Sequence, residues 1–343
     1  MKKYLEIYQE IKNKIVSGEY KTSEKLPSKR VMADKTGTSV ITVEKAYNML
    51  CDEGYVEAKE RSGYFVSVAD LPYSGKKEAF KFERLKEEDE SVEDFEYSLW
   101  FKTVRKVISE KGNKLFVKSP NMGCAVLRNA LSMYLLRYRG MRAEPSRIII
   151  GSGSEQLYET AVKILGRDKV FGIENPSYEQ IEAVYLSEGV KIKKLEMGGE
   201  GIKSQFLTND IDALHVTPFK SYPTGVTTSV KKRYEYLKWA GEEKYIIEDD
   251  FNSEFFIPGQ PIESLYSLDN NSRVIYINTF SKSLSPSMRM GYMILPEQLM
   301  DKYQQTVGKF SCTVPVLDQH ILAEFISSGN FERHLNKMRR KLH

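Results

Sequence analysis

A lysine stands among four serines in Ser281-Lys282-Ser283-Leu284-Ser285-Pro286-Ser287, and Arg289 follows seven residues after Lys282. Two kinds of chemistry fit this spacing. The amine is a solvated loop charge, or it is a nucleophile kept beside hydroxyls and a fixed cation. The second arrangement is what a phosphate-bearing aldehyde requires: an amine for the carbonyl, and hydroxyls and a guanidinium for the phosphate. The apolar run Val274-Ile275-Tyr276-Ile277 comes just before and reads as a buried strand that delivers the loop.

Other apolar runs repeat that pattern. Strands are expected at 147–150, 169–173, 191–195, 213–217, 245–248, 273–277 and 291–295, with helices between several of them, such as 155–165 and 230–240. Such alternation predicts an α/β fold with a mostly parallel sheet, whose ligands bind beyond the carboxyl ends of the strands. Chemistry-bearing residues follow those ends. Gly151-Ser152-Gly153-Ser154 opens a helix whose free N–H groups suit an anion. Tyr178 follows Asn175-Pro176, Asp249 and Asp250 end another run, and Lys220-Ser221-Tyr222-Pro223-Thr224-Gly225 forms a turn. Each has a plain reading as a cap or a turn. Their placement along one sheet edge favours a site.

The first seventy residues have a different rhythm. Tyr4, Tyr8, Ile11 and Ile15 recur at helical spacing, and Gly18 closes that segment. Ser28 reads as an N-cap, with Val31 and Met32 facing inward and Gly37 ending a short helix. A third helix buries Val43, Ala46, Tyr47 and Leu50 and stops at Gly54. Two strands follow around Arg61-Ser62-Gly63. Three helices and a hairpin form the layout of a winged helix-turn-helix. Lys29, Arg30, Lys45 and Arg61 suit phosphates, and Thr38, Ser39 and Thr42 suit phosphates or base edges. Residues 1–70 hold 12 Lys/Arg against 11 Asp/Glu. A head this close to neutral is expected to bind DNA weakly alone and to need a dimer. Residues 71–94 are dense in charge and poor in periodic apolar residues, which reads as an exposed linker.

Composition narrows the remaining classes. A chain of 343 residues with 41% hydrophobic and 29% charged residues fits a globular protein of more than one domain. The net charge of +4 identifies no partner. Cys51, Cys124 and Cys312 lie far apart, and His215, His320, His334 and His343 have no ligand spacing, so neither a metal site nor a disulfide framework is expected. With no apolar run long enough to span a bilayer and no signal peptide, the expected location is the cytoplasm.

The stretches Leu26 to Arg30, Ser39 to Val43, Ala46 to Leu50, Glu53 to Val56 and Ser62 to Val66 resemble the winged helix-turn-helix of the GntR family of bacterial regulators. The resemblance implies that the helix from Ser39 enters the major groove. Relatives often carry arginine where this chain has Val40, which suits a thymine methyl instead. Residues from about 100 to 340 resemble a fold-type I aminotransferase that uses pyridoxal 5′-phosphate (PLP). Together the two parts resemble MocR-type regulators. The resemblance makes Lys282 the lysine of the internal aldimine and Asp249 the partner of the pyridine nitrogen. It stacks Tyr178 on the ring and gives the phosphate to Gly153, Ser154, Thr279, Ser281 and Arg289. It also implies a homodimer, operator DNA as partner and a small amine or amino acid as effector.

The chain departs from that pattern in four places. Phe251 replaces a tyrosine that bonds the ring hydroxyl, Lys220-Ser221 replaces His-Gln, and Gln180 stands where some relatives have arginine. The family also continues into a C-terminal subdomain with an arginine for a substrate carboxylate, beyond where this sequence stops. The leading expectation is a PLP-sensing, DNA-binding regulator with two rivals; the missing arginine, Phe251 and Lys220-Ser221 count against the first, and the early end keeps the second open. The first rival is a working aminotransferase; the second is a regulator that no longer binds PLP.

Overall fold

In the computed structural model, residues 2–60, 62–67, 95–255 and 263–342 are described. Arg61 and the expected linker, 71–94, lie outside them. Two compact units divide the chain, Met1–Asp89 and Glu90–His343.

The first unit has helices α1 (Lys3–Val16), α2 (Lys29–Thr36) and α3 (Val40–Asp52), then the hairpin β1 (Val56–Lys59) and β2 (Gly63–Val66). Ile7, Tyr8, Ile11 and Ile15 of α1 pack against Val43, Ala46, Tyr47 and Leu50 of α3. Ser28 caps α2 by accepting from the Val31 N–H at 3.3 Å, and Gly37 ends it at φ 61°, a left-handed conformation that glycine adopts without penalty. Ser39 caps α3 in the same way, accepting from the Thr42 N–H at 3.2 Å. One sequence expectation fails here. Met32 and Ala33 face the core, but Val31 is 56% exposed, because one step of about 100° along the helix carries it off the buried stripe.

The second unit begins with α4 (Tyr97–Lys111) and α5 (Ala125–Tyr134), followed by β3 (Ile148–Gly151), α6 (Ser154–Leu165), β4 (Val170–Asn175) and α7 (Glu179–Ser187). Next come β5 (Lys191–Gly198), β6 (Gly201–Ile202), β7 (Ala213–Val216), α8 (Val230–Ala240), β8 (Tyr245–Asp249), α9 (Leu265–Leu268), β9 (Val274–Thr279) and β10 (Gly291–Ile294). Helices α10 (Met300–Gln305), α11 (Val316–Ser327) and α12 (Asn330–Leu342) follow. The strands form one sheet in the order β3-β10-β9-β8-β7-β4-β5-β6. Strands β9, β8, β7, β4 and β5 run parallel, and β10 runs antiparallel to both its neighbours. All seven strands read from the sequence are present. The two-residue β6 was too short to show a period.

Alternation along the strands sends side chains to opposite faces. Ile149, Ile247, Ile275, Ile277 and Met293 pack against Leu157, Ala161 and Ile164 of α6 and against α7. Ile150, Tyr276, Tyr292 and Ile294 face the other way, onto α5, α11, and Phe331 and Leu335 of α12. The sheet is therefore covered on both faces, which suits its nearly continuous apolar strands. Only the strand ends are left for polar chemistry.

Candidate functional site

Asp249 is the last residue of β8 and is 6% exposed. Strand alternation turns it toward α6, where Tyr158 donates its hydroxyl hydrogen to Asp249 Oδ2. His215 comes from β7, with Nε2 3.8 Å from the same Oδ2 and Nδ1 sharing a 2.6 Å hydrogen bond with Tyr185 Oη. His215 Nε2 is buried without a hydrogen-bond partner among the described residues. The carboxylate is thus oriented by Tyr158 of α6, with the His215 ring of β7 close beside it.

Gly153 precedes α6 at φ 95°. That φ favours glycine, and a Cβ there would lie 3.1 Å from the Arg289 guanidinium, so the bare backbone gives the cation room beside the helix N-terminus. Arg289 also forms an ion pair with Glu155 in the first turn, and the two side chains are 54% and 42% exposed. An exposed pair of this kind is worth no more than about 1 kcal/mol and yields readily to a better anion. Free N–H groups, a glycine and a guanidinium together form an anion cradle, and phosphate fits it.

Lys282 follows β9. The residue as a whole is exposed, but its amine is packed between two rings, 5.1 Å from the centroid of Phe251 and 5.2 Å from that of Phe255. The amine donates to Asn252 Oδ1. Asn252 Nδ2 donates to the carbonyls of Phe219 and Lys220, each at 3.2 Å, which fixes the amide so that its oxygen meets the lysine. Burial lowers the Lys282 pKa below its ordinary value, the charge of Lys220 lowers it further, and Glu254 pulls the other way. An amine shifted in this direction is a better nucleophile near neutral pH.

The structure thus brings Lys282, Asp249, Gly153, Ser154 and Arg289 to the expected sheet edge. Thr279 is buried at the end of β9 and Ser281 is half-buried beside Lys282. Tyr178 is 43% exposed, its ring edge-on to Tyr222 at 6.2 Å. Among the described residues no hydrogen bond links Tyr178, Thr279 or Ser281 to Lys282. Tyr158, His215 and Asn252 are the residues that sequence reasoning missed. Tyr158 carried a usable signal, since it lies one helical turn after Ser154.

A second set of buried acids surrounds this edge. Glu174 accepts from Ser221 Oγ and from the Thr217 N–H, and Glu248 accepts from the N–H groups of Leu265 and Tyr266. Burial pushes both carboxyls up to about 7. It also raises Glu254, helped by Asp250, which is itself paired with Arg139 at 2.9 Å. A carboxyl whose pKa rises on folding binds more protons folded than unfolded. The stability it contributes is complete below its ordinary value and is lost as pH rises through about 7. Acids shifted the other way, such as Asp210 and Asp212, are already ionised in this range. His320 and Lys282, both lowered by burial, oppose the trend. We expect the large unit to melt at a lower temperature at pH 8 than at pH 5.5. Glu174→Gln can accept from the Thr217 N–H through its oxygen and donate to Ser221 Oγ through its amide nitrogen, and should flatten this dependence; an unchanged profile by differential scanning calorimetry would refute the assignment.

In the first unit, the expected DNA contacts lie on α2, α3 and the turn between them. Lys29 pairs with Glu44 of α3, Arg30 is exposed, and the Lys45 amine sits 4.3 Å over the Tyr4 ring. Thr38 Oγ1 shares a 2.9 Å hydrogen bond with Thr36, and Ser39 Oγ one of 2.8 Å with Thr42. Arg61 lies outside the described residues. No helix among them is long and apolar enough to cross a membrane, and no cluster of His, Cys, Asp or Glu among them could hold a metal ion.

Comparison with known proteins agrees with both halves. Residues 3–66 match the family of bacterial regulatory proteins called gntR. The chain is 34% identical to the HTH-type transcriptional regulator YdeL of Bacillus subtilis, over 98% of this chain and 76% of that protein. It is 28% identical to the probable rhizopine catabolism regulatory protein MocR of Rhizobium meliloti, over 98% and 74%. Among solved structures it resembles LysN, an alpha-aminoadipate aminotransferase of Thermus thermophilus complexed with N-(5′-phosphopyridoxyl)-L-leucine. That match has a TM-score of 0.64 and 26% identity, and it covers 73% of this chain. The chain spans 65% of the length of that aminotransferase. It belongs to the MocR-type regulators of the GntR family, DNA-binding transcription factors that join a winged helix-turn-helix to an aminotransferase-like domain.

Proposed function

We propose that the large unit holds PLP at Lys282 and uses it to sense a small amine or amino acid, and that a homodimer in the cytoplasm relays the signal to operator DNA. On this reading residues 1–70 bind DNA, 71–94 connect, and 95–343 form the PLP-binding domain. The observation that carries the proposal is the Lys282 amine, held by Asn252 on the same sheet edge as Asp249 and the Gly153–Arg289 cradle.

Bound PLP supplies an aldehyde for amines and an electron-withdrawing ring. The chain's own residues divide the remaining work. Asp249, oriented by Tyr158, offers a buried carboxylate to a protonated ring nitrogen. Gly153, Ser154, Thr279, Ser281 and Arg289 take the phosphate, and Tyr178 covers the ring. Phe251 and Phe255 flank the Lys282 amine, and Asn252 orients it. A dimer also supplies what a nearly neutral head lacks, since two heads share one site on DNA.

The likeness to an aminotransferase favours a second reading, amino-group transfer to a keto acid. One experiment separates the readings. The protein is mixed with PLP, reduced with borohydride and digested, and the modified peptide is located by mass spectrometry beside Lys282→Ala. A PLP mass on Lys282, absent from the variant, with no turnover of amino acids supports the sensor. Turnover abolished by Lys282→Ala would make it an enzyme. A folded protein that takes up no PLP would refute both and leave the domain as a scaffold.

A further inference from the structure

Helix α3 turns Val43, Ala46, Tyr47 and Leu50 into the head, and all four are fully buried. Helical geometry turns positions 41, 44, 45 and 48 away from that stripe and leaves 40 at its flank. Two of these, at the first turn, are β-branched aliphatics in water: Val40 is 39% exposed and Ile41 is 77% exposed. A single exposed aliphatic is common on protein surfaces and needs no cause. Two in succession, at the end of the helix that meets base edges in a helix-turn-helix, are in a position where side-chain chemistry selects sequence.

Several polar groups around this first turn have partners within the head, and the exposed Asn48 lies two turns further along the helix. Ser39 Oγ caps the helix and bonds Thr42 Oγ1 at 2.8 Å. Lys29 pairs with Glu44, which offsets a cation beside the helix with an anion on it. Lys45 lies over the Tyr4 ring. What α3 presents at its first turn is therefore largely apolar. Along the base edges of the major groove, the 5-methyl group of thymine is the apolar feature; the others are hydrogen-bond donors and acceptors.

We propose that Val40 and Ile41 read thymine, packing their side chains against 5-methyl groups in the major groove, so that each half-site carries thymine where the first turn of α3 enters. This goes beyond the DNA-binding role to the bases selected. The readout is steric and apolar, so it adds preference without adding to the salt dependence set by phosphate contacts.

The test uses the full-length protein and a random-sequence duplex pool. After rounds of selection, the enriched pool is copied once with thymidine triphosphate and once with deoxyuridine triphosphate. The two copies then differ only in the 5-methyl group. Wild-type protein should bind the uracil copy more weakly, by about three- to fourfold for each methyl contacted, the effect of burying one such group. The double variant Val40→Ala/Ile41→Ala should bind both copies alike, with the same slope of affinity against salt as wild type and an unchanged melting temperature. Equal binding of both copies by wild type overturns the proposal. So does enrichment of sequences without thymine in the half-sites, or a double variant that keeps the full thymine preference.

Discussion

Replacing Asp249 with alanine should weaken PLP binding by roughly ten- to a hundredfold, the loss of one hydrogen bond to a charged group. The size follows from the setting. The carboxylate is almost wholly buried, and Tyr158 holds it by a hydrogen bond. A preorganised anion of this kind gives up no hydration when a cationic ring nitrogen arrives, so its full effect is expressed in binding. Asp249→Asn separates charge from shape, because it fills the same space and still accepts from Tyr158. If charge is what matters, the asparagine variant falls with the alanine variant; if packing matters, it stays near wild type. The measurement is equilibrium dialysis of PLP against each protein, with calorimetry to confirm that the large unit stays folded. An alanine variant that binds PLP within twofold of wild type would remove Asp249 from the site.

The residues that the sequence revealed and those it hid differ for a physical reason. Lys282, Asp249, Gly153 and Arg289 follow strands or open a helix, and the end of an apolar run is visible in one dimension. The strands were legible because each is an unbroken apolar run, as burial on both faces requires. Tyr158, His215 and Asn252 act through neighbours distant in sequence: Tyr158 and Asp249 are 91 residues apart, and Asn252 and Lys282 are 30 apart. No local pattern marks such pairs. Val31 was misread because the short helix α2 gives only eight residues from which to judge its phase. In the head, Ser39 and Thr42 were rightly placed at the start of α3, yet their hydroxyls bond each other. The polar residue types suggested base contacts. The structure adds a capping role for them and places the exposed Val40 and Ile41 beside them at the front of the helix.

Tyr47→Ala should unfold the head while sparing the large unit. Tyr47 is fully buried, its hydroxyl donates to the Pro27 carbonyl at 2.8 Å, and its ring meets Tyr64 edge-on at 4.8 Å. It thus ties α3 to the loop before α2 and to the wing. Removing a buried aromatic side chain costs roughly 3–5 kcal/mol. A single core in a domain this small rarely supplies more than about 3–5 kcal/mol in total, so the substitution consumes nearly all of it. Tyr47→Phe keeps the ring and loses only the hydrogen bond to Pro27, at a cost of about 1 kcal/mol, and should leave DNA binding close to wild type. Hydrogen exchange of the full chain, followed by mass spectrometry, reads both units in one experiment. The alanine variant should lose protection across α1 to β2, retain it across the large sheet, and lose affinity for duplex DNA by at least about twofold per head, as a head left about half unfolded requires. Full protection of α1 and α3 in that variant would mean that the head core does not depend on Tyr47. Lost protection in the sheet as well would mean that the two units fold as one.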